Sequence, residues 1–389
     1  MPVSRRHVSP STQLRCGTDQ FAAYAPDAYQ PDVIINVVIS VIRVVEGPPT
    51  LPPGSTVTVG QSTLAIPVGT GRVVPANWYF PGGAHPPAGL IYLQHGFLAS
   101  APLYSYTAAV LAQQTNSIVV TPSLTSNLFA SDAVWLGEAT MQRAVADLFV
   151  GDRVALTASA SSAAGNPVTL PQRFVLAGHS MGGGLVAAAA GFSVDNGAVT
   201  DLAGVMLFDA VSLNNALPTA LAKLTGEKHR PVLLITEPLH FWNHLGHVSG
   251  YLVRARPNQF VGISLVGGSH IDAMQSGNVL IQRAAELFTG FSLPQNVEAV
   301  QIITAAWIND MLAGTRDGIY GAPGQPIQIH TSSGTATAFV LPAPPDRTSA
   351  GGVLLRTVLG AADRAFFSYA PRLRAARRDA AEPRATKRD

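Results

Sequence analysis

The chain has 389 residues, of which 47% are hydrophobic and 12% charged, and its formal net charge is +2. This composition supports a sizeable core and excludes global disorder. The small net charge gives no general attraction for nucleic acid, so we expect no nucleic-acid partner. A single cysteine, Cys16, excludes a disulfide within this chain and a metal site built from cysteines.

The N-terminal part predicts a loose arm followed by strands. Residues 1–31 are polar, and residues 32–88 contain β-rich runs between proline and glycine clusters. No signal peptide is evident, because Arg5 and Arg6 are followed by polar residues where an apolar region is required. The apolar run 33–45 is short for a membrane span and is interrupted by polar residues. We therefore expect a strand there, no transmembrane helix, and a cytoplasmic location.

From residue 89 apolar strands alternate with helical stretches, which predicts an α/β fold with a mostly parallel sheet flanked by helices. We place this domain at 32–313, with its core at 89–290. The stretches 158–172 and 314–350 are predicted to be irregular because of their small residues and prolines. The predicted strands are 89–94, 117–122, 173–179, 203–208, 231–236 and 260–266, and the predicted helices are 104–115, 132–149, 182–191, 272–289 and 296–312.

The C-terminal segment, 314–389, ends differently from the rest of the chain. Apolar residues between Leu355 and Tyr369 recur on one helical face, Pro371 should end that helix, and a basic tail follows. One interpretation is a membrane-surface helix, which gives a possible weak membrane association. The alternative, which we favour, is a helix packed on its own domain, since most amphipathic helices face a core.

The most informative motif is Gly178-His179-Ser180-Met181-Gly182, which directly follows an apolar strand and precedes an alanine-rich helix. This order predicts a strand, a very tight turn and a helix, with Ser180 at the tip of the turn. Glycines at both ends of the motif are expected because a side chain there would collide with the neighbouring strand or helix. Backbone strain of this kind is typical of functional sites.

A serine hydroxyl becomes a nucleophile when an imidazole takes its proton and an acid orients that imidazole. His270 is the candidate histidine, because it follows the last core strand at the edge where active sites of open α/β sheets lie. Two acids come directly after apolar strands at that same edge, Asp209 and Glu237. The residues alone do not choose between them.

The transition state of such a reaction needs hydrogen-bond donors for its negatively charged oxygen. The backbone N–H of Met181 is one candidate, because it follows the serine. The second is the backbone N–H of Phe97, in the loop Gln94-His95-Gly96-Phe97 after the strand at 89–94.

These segments resemble those of α/β-hydrolase esterases and lipases over about residues 89–290. Within that group the chain is most similar to platelet-activating-factor acetylhydrolases and to cutinase-like polyester hydrolases. The former resemblance implies that Asp209, in Leu207-Phe208-Asp209-Ala210, is the acid, whereas the latter favours Glu237. We choose Asp209.

Three further histidines, His240, His244 and His247, have spacings that helical metal ligands can show, but no carboxylate or cysteine completes a set. We therefore predict no metal. The same segment contains Phe241 and Trp242, which we expect to line the substrate pocket together with His95. No dinucleotide or phosphate-loop motif is present, so we predict no cofactor.

The resemblance and the motif together imply a serine hydrolase that cleaves a small-molecule or lipid ester through an acyl-enzyme, with Ser180, His270 and Asp209 as a triad. Two alternatives remain. One is an acyltransferase that uses the same residues, and the other is a non-catalytic binding protein held at a membrane by its C-terminal helix.

Overall fold

The computed structural model describes residues 47–127 and 135–343. The predicted arm at 1–31, the apolar run at 33–45 and the start of the helix predicted at 132 lie outside the described residues. The predicted C-terminal helix and basic tail lie outside them as well.

The described residues contain one sheet of ten strands. The strands are β1 (Thr58–Ile66), β2 (Arg72–Phe80), β3 (Gly89–Gln94), β4 (Ser117–Pro122), β5 (Phe174–His179), β6 (Leu202–Phe208), β7 (Val232–Thr236), β8 (Gly262–Leu265), β9 (Pro326–Thr331) and β10 (Gly334–Val340). Their order is β1-β2-β4-β3-β5-β6-β7-β8-β10-β9. The six strands in the middle, from β4 to β8, pair in parallel. The two at each edge are antiparallel.

Eight α-helices lie in the same described ranges. They are α1 (Ser105–Thr115), α2 (Ala139–Asp147), α3 (Val154–Ala164), α4 (Met181–Asn196), α5 (Ala216–Lys223), α6 (His247–Ala255), α7 (Val279–Thr289) and α8 (Pro294–Ala313). Short 3-10 helices cover Ala101–Tyr104 and Phe241–Gly246.

The central strands are buried on both faces because their side chains alternate between two cores. Leu90 and Tyr92 of β3 belong to the core under α2, α3, α4 and α5. Ile91 and Leu93, one residue further along in each case, belong to the core under α1 and α8. A strand with a period of two can be apolar throughout only when helices cover both faces of the sheet, which explains the continuous apolar runs in the sequence.

The fold prediction is confirmed. The sheet is mostly parallel and flanked by helices, and a serine lies on the turn between β5 and α4, which is the α/β-hydrolase arrangement. All six strands predicted from residue 89 onward are present, and the β-rich start contributes the antiparallel pair β1 and β2.

Three local predictions are wrong. Residues 158–164 belong to α3 and not to a loop, because Ser159 is buried there and accepts a hydrogen bond from Trp78 Nε1 at 2.9 Å. The predicted helix at 272–289 begins only at Val279, where the side chain of Asn278 caps it. The stretch predicted as irregular at 314–350 contains β9 and β10. Prolines had argued against strands there, but a sheet edge tolerates proline.

The hairpin of β9 and β10 extends the sheet beside β8, and its buried side chains Ile329, Ala338 and Val340 join the core under α8. Within the described residues, no helix combines the length and apolar character needed to cross a membrane.

We predict that a chain ending at Ala313, the predicted domain boundary, unfolds more than about 5 °C below a chain ending at Ala343. The shorter chain loses the partner strand of β8 and exposes the core face that Ile329, Ala338 and Val340 cover. Thermal unfolding followed by circular dichroism measures the difference. Equal midpoints for the two chains would show that the hairpin is dispensable and that the boundary at 313 is correct.

Candidate active site

Ser180 lies at the tip of the turn between β5 and α4 with φ 53° and ψ −124°, a conformation that costs free energy for a residue with a side chain. The predicted role of the flanking glycines is confirmed. A Cβ on Gly178 would lie 2.4 Å from the carbonyl oxygen of Gly182, and a Cβ on Gly182 would lie 2.3 Å from that of His95. The turn is therefore as tight as the motif requires.

The loop after β3 packs directly against this turn. A Cβ on Gly96 would lie 3.0 Å from the Cβ of Ser180, which is closer than an ordinary contact, so a glycine favours this close approach of the loop. The loop contains Phe97, the predicted second donor, while Met181, the predicted first donor, is the first residue of α4. The structure thus brings the two predicted donor segments to the serine.

His270 and Asp209 form a buried pair, with 2.6 Å between Nδ1 of the histidine and Oδ2 of the aspartate. The other carboxylate oxygen, Oδ1, accepts three hydrogen bonds. Its donors are the Thr236 hydroxyl at 2.8 Å, the Asn243 side-chain amide at 3.1 Å and the Glu237 backbone N–H at 3.2 Å. Sequence reasoning missed Asn243, since nothing in the pattern of the chain shows that a residue 34 positions later reaches this carboxylate.

These contacts decide the charge of Asp209. Burial by itself raises the pKa of this carboxyl, but the hydrogen bond and positive charge of His270, together with the donors Thr236 and Glu237, lower it below its ordinary value. A carboxylate that accepts several hydrogen bonds stays ionised even where water is excluded. Asp209 is therefore a fixed negative charge beside His270.

Glu237, the alternative acid, lies in a different electrostatic environment. Burial and the neighbouring charges of Asp209 and Asp272 raise its pKa well above the ordinary value. The pKa of Asp272 is raised to about 6, mainly by burial. Both residues line a small cavity of about 10 Å³ that Asp209 and His270 line as well. Of the two predicted acids, Asp209 makes the contact with Nδ1 of His270.

His179, the residue before the serine, links the loop after β3 to His270. Its Nε2 lies 2.6 Å from the carbonyl oxygen of His270, and its Nδ1 lies 2.6 Å from the Tyr104 hydroxyl. A carbonyl can only accept, so Nε2 carries the proton and Tyr104 donates to Nδ1. The Tyr104 oxygen in turn accepts from the backbone N–H of Gly96 at 3.1 Å. These hydrogen bonds connect the loop after β3, the turn that contains Ser180 and the loop that contains His270, and they hold the three segments together.

The predicted pocket residues lie in different environments. Trp242 lies beside His270, with 6.4 Å between the ring centroids, and is 37% exposed. His95 is only 1% exposed and its Nδ1 lies 2.8 Å from the carbonyl oxygen of Gly96, so it supports the loop and does not line an open pocket. The side chain of Phe241 lies outside the described part of the chain.

One group of potential metal ligands stands out in the described residues. Ligand atoms of Asp209, Glu237 and His270 lie within 4.8 Å of one another. A cation there would compete with the proton between Asp209 and His270, because it would use the same two atoms. The histidines His244 and His247 form an edge-to-face ring contact with centroids 6.5 Å apart.

The chain matches no known family model and no curated protein. Among solved structures it is similar to brefeldin A esterase, a bacterial homologue of human hormone-sensitive lipase, with 14% identity over 72% of this chain and 86% of that chain and a TM-score of 0.46. An esterase from the archaeon Pyrobaculum calidifontis has 14% identity over 73% and 94% of the chains and a TM-score of 0.45. Carboxyl esterase 2 from the fungus Tuber melanosporum has 14% over 71% and 97%, with 0.45. Likeness at this level identifies no family and no reaction, and the fold assignment therefore rests on the strand order and the Ser180 turn.

We predict that His179 makes folding stability depend on pH. Burial, followed by the charge of His270, lowers the pKa of His179 to about 3. Between that value and about 6.5 the unfolded chain binds a proton that the folded chain does not, so stability falls as the pH drops through this window. The advantage of the wild type over His179→Gln should shrink there by up to about 1.4 kcal/mol per pH unit.

Urea unfolding of both proteins at several pH values from 7.5 downward measures this difference. The raised pKa values of Glu237 and Asp272 affect both proteins equally and cancel in the comparison. A matched control is His330→Gln, on the exposed edge strand β9. If the stability difference between wild type and His179→Gln is constant over this range, His179 is not held neutral.

Proposed function

We propose that this protein hydrolyses carboxylic esters through an acyl-enzyme, with Ser180 as the nucleophile. The observation that carries the proposal is the buried pair of His270 and Asp209, 2.6 Å apart, at the same edge of the sheet as the strained turn that presents Ser180. An imidazole oriented by a carboxylate next to a serine on such a turn is the arrangement that activates a hydroxyl.

The hydrogen bonds of the pair assign the proton of the imidazole. Because Asp209 is ionised and accepts from Nδ1, neutral His270 has its lone pair on Nε2. That nitrogen takes the proton of Ser180 as the hydroxyl attacks the ester carbonyl, and it later returns the proton to the leaving alcohol. A water molecule, deprotonated by the same nitrogen, then releases the acid and restores Ser180.

The backbone N–H groups of Met181 and Phe97 stabilise the negatively charged oxygen that forms at each step. Met181 begins α4, where the helix dipole favours negative charge. Donors that are already in position before the reaction need no reorganisation, and losing one typically costs about 3–4 kcal/mol in the transition state. Tyr104 and His179 act as positioning residues, since they hold the Gly96 loop against the turn.

The environment of the two acids favours Asp209 over Glu237 as the triad acid, and with it the pattern of platelet-activating-factor acetylhydrolases over that of the cutinase-like enzymes. Glu237 favours its protonated form, and a neutral carboxyl gives little stabilisation to a charged imidazolium. The resemblance to either group stays a prediction.

We predict that Ser180→Ala lowers kcat on p-nitrophenyl esters by on the order of 10⁴ to 10⁶, and Asp209→Asn by about 10⁴. Glu237→Gln should stay close to the wild-type rate, because glutamine resembles the protonated carboxyl. Mass spectrometry after reaction with a fluorophosphonate should find the adduct on Ser180. Full activity of Ser180→Ala in folded protein would refute the mechanism.

Two further conditions separate this proposal from its rivals. Activity should survive a chelator. Loss of activity on chelation would instead favour catalysis by a cation held by Asp209, Glu237 and His270. Added alcohol should leave acid as the main product. A dominant transfer ester would identify the acyltransferase alternative, and the absence of any turnover would favour the non-catalytic alternative.

The chain segments on either side of His270 contain most of the exposed apolar side chains. Of the eleven large hydrophobic side chains that are exposed in the described residues, eight lie between positions 239 and 293, in the segments that flank His270. Trp242 is among them, beside the histidine itself. Clusters of exposed apolar residues typically mark binding surfaces. We infer that these segments form an apolar surface beside the site and that the substrate is an ester with an apolar chain that extends over this surface.

We predict that Leu287→Asp lowers kcat/KM for long-chain p-nitrophenyl esters but leaves the acetate ester unchanged. Leu287 and Val154 are both 74% exposed, and Val154 lies outside this surface, so Val154→Asp is the matched control. An activity assay from acetate to palmitate gives the comparison. Equal effects of the two substitutions at every chain length would contradict the assignment.

A further inference from the structure

A second pocket lies at the amino ends of the parallel strands, whereas Ser180 lies at their carboxyl ends. A cavity of about 720 Å³ is lined by the residues that precede β5, β6, β7 and β8 and by the end of α8 and the turn after it. The serine, the aspartate and the histidine all follow the carboxyl ends of their strands. With about 3.3 Å per residue along β6, the two edges are separated by roughly 20 Å, so this cavity is not part of the ester site.

Most of the ionisable side chains that line the cavity are basic. Arg173, Arg230, Arg256 and Arg316 line it, together with His229. Asp310 is the one carboxylate among its lining residues. Cavities of this size are typical of sites for small organic molecules, and the excess of guanidinium groups indicates that the molecule is an anion.

Asp310 does not neutralise these arginines. Its Oδ1 accepts from the Thr315 hydroxyl and the Asp317 backbone, and its Oδ2 accepts from the Gly318 backbone and the Tyr320 hydroxyl, at 2.7–2.9 Å. These four donors belong to the turn after α8. The carboxylate therefore stabilises that turn, and within the described residues none of the four arginines is among its hydrogen-bond or ion-pair partners.

Three described arginines outside the cavity behave differently. Arg143, Arg153 and Arg283 each form an ion pair with a carboxylate, at 4.0, 3.1 and 2.7 Å respectively, and all three lie outside the cavity. Among the ion pairs of the described residues, none involves an arginine of the cavity. Four guanidinium groups that form no ion pair within the described residues therefore lie together around this cavity.

The like charges are close enough to act on one another. Burial, followed by the charge of Arg173, lowers the pKa of Arg230. Burial and the charges of Arg256 and Arg230 lower the pKa of His229. Such crowding costs free energy in the absence of a counter-charge, and a bound anion would relieve it.

Some guanidinium nitrogens of these arginines donate hydrogen bonds to backbone carbonyl oxygens, and others are left for a ligand. The guanidinium of Arg230 is occupied by the carbonyl oxygens of Val199, Leu202, Glu227 and His229. Arg173 and Arg256 each give one nitrogen to a carbonyl, of Met311 and Leu224 respectively. Their other nitrogens remain for a ligand.

Arg316 is oriented by aromatic rings and not by hydrogen bonds. Its guanidinium lies 4.2 Å from the ring centroid of Tyr320 and 5.9 Å from that of Phe260. The two rings pack edge to face with centroids 4.9 Å apart, so they form a firm support. A planar guanidinium held on such a support keeps its donors available for the paired oxygens of a phosphate or a carboxylate.

We propose that this cavity binds a small, multiply charged organic anion, a phosphate ester or a polycarboxylate, with Arg173, Arg256 and Arg316 as its direct contacts. Arg230 contributes positive charge to the cavity without contacting the anion, because its donors are bonded to backbone carbonyl oxygens. The site is independent of the ester chemistry at the other edge of the sheet.

Isothermal titration calorimetry of the full chain at low ionic strength, with pyrophosphate and with citrate as separate probes, tests the proposal. We expect at least one of them to bind in a 1:1 complex that weakens as salt is added. The double variant Arg173→Gln/Arg316→Gln should weaken this binding by about tenfold or more, while Ser180→Ala should bind as the wild type does. The stronger of the two probes identifies phosphate or carboxylate chemistry.

The matched control is Arg143→Gln/Lys223→Gln, which removes the same net charge at another place. Arg143 lies over the ring of Phe192 with 4.3 Å to its centroid, as Arg316 lies over Tyr320, and Lys223 lies beside the same ring. This control should keep wild-type affinity. Equal weakening in both double variants would reduce the effect to net charge. That result, or no binding of either probe to the wild type, would overturn the proposal.

Discussion

The close approach of three backbone segments around Ser180 is the constraint on which the site depends. The β3 loop, the end of β5 and the start of α4 meet where Gly178 and Gly182 leave no room for a Cβ and Gly96 leaves little. Because the segments touch, their packing holds Ser180 at its positive φ. The surrounding structure compensates for the strain at this residue. The hydrogen bonds from Gly96 to Tyr104, from Tyr104 to His179 and from His179 to the His270 backbone then fix the neighbouring loop to the same point.

At the carboxyl ends of the strands, the charges of three buried carboxyl groups depend on how hydrogen-bond donors are distributed among them. Asp209 receives four, including the one from His270, and stays ionised although it is buried. Glu237 and Asp272 are buried nearby, and the charge of Asp209 raises the pKa of both. One negative charge is therefore concentrated at the atom that faces Nδ1 of the histidine, and the other two carboxyls are driven towards their neutral forms.

The two edges of the parallel sheet have opposite electrostatic character. Parallel strands bring all their carboxyl ends to one side and all their amino ends to the other, so residues that are distant in sequence gather at each edge. Acids and histidines collect beyond the carboxyl ends, whereas arginines collect before the amino ends, around the cavity that includes Arg173 and Arg256. The proposed ester site and the proposed anion site can coexist on this scaffold because the length of the strands separates their charges.

The sequence by itself determined the fold class, the strands from residue 89 onward, the tight serine turn and the short set of acid and histidine candidates, because apolar periodicity and glycine spacing are local properties of the chain. The hairpin of β9 and β10, the late start of α7 at Val279 and the burial of His95 were decided by tertiary packing. So was the contact of His270 with Asp209 instead of Glu237, since both acids end adjacent strands and only the surrounding donors, Asn243 among them, distinguish the two. Hydrogen bonds and burial between residues far apart in the chain leave no periodic trace in the sequence.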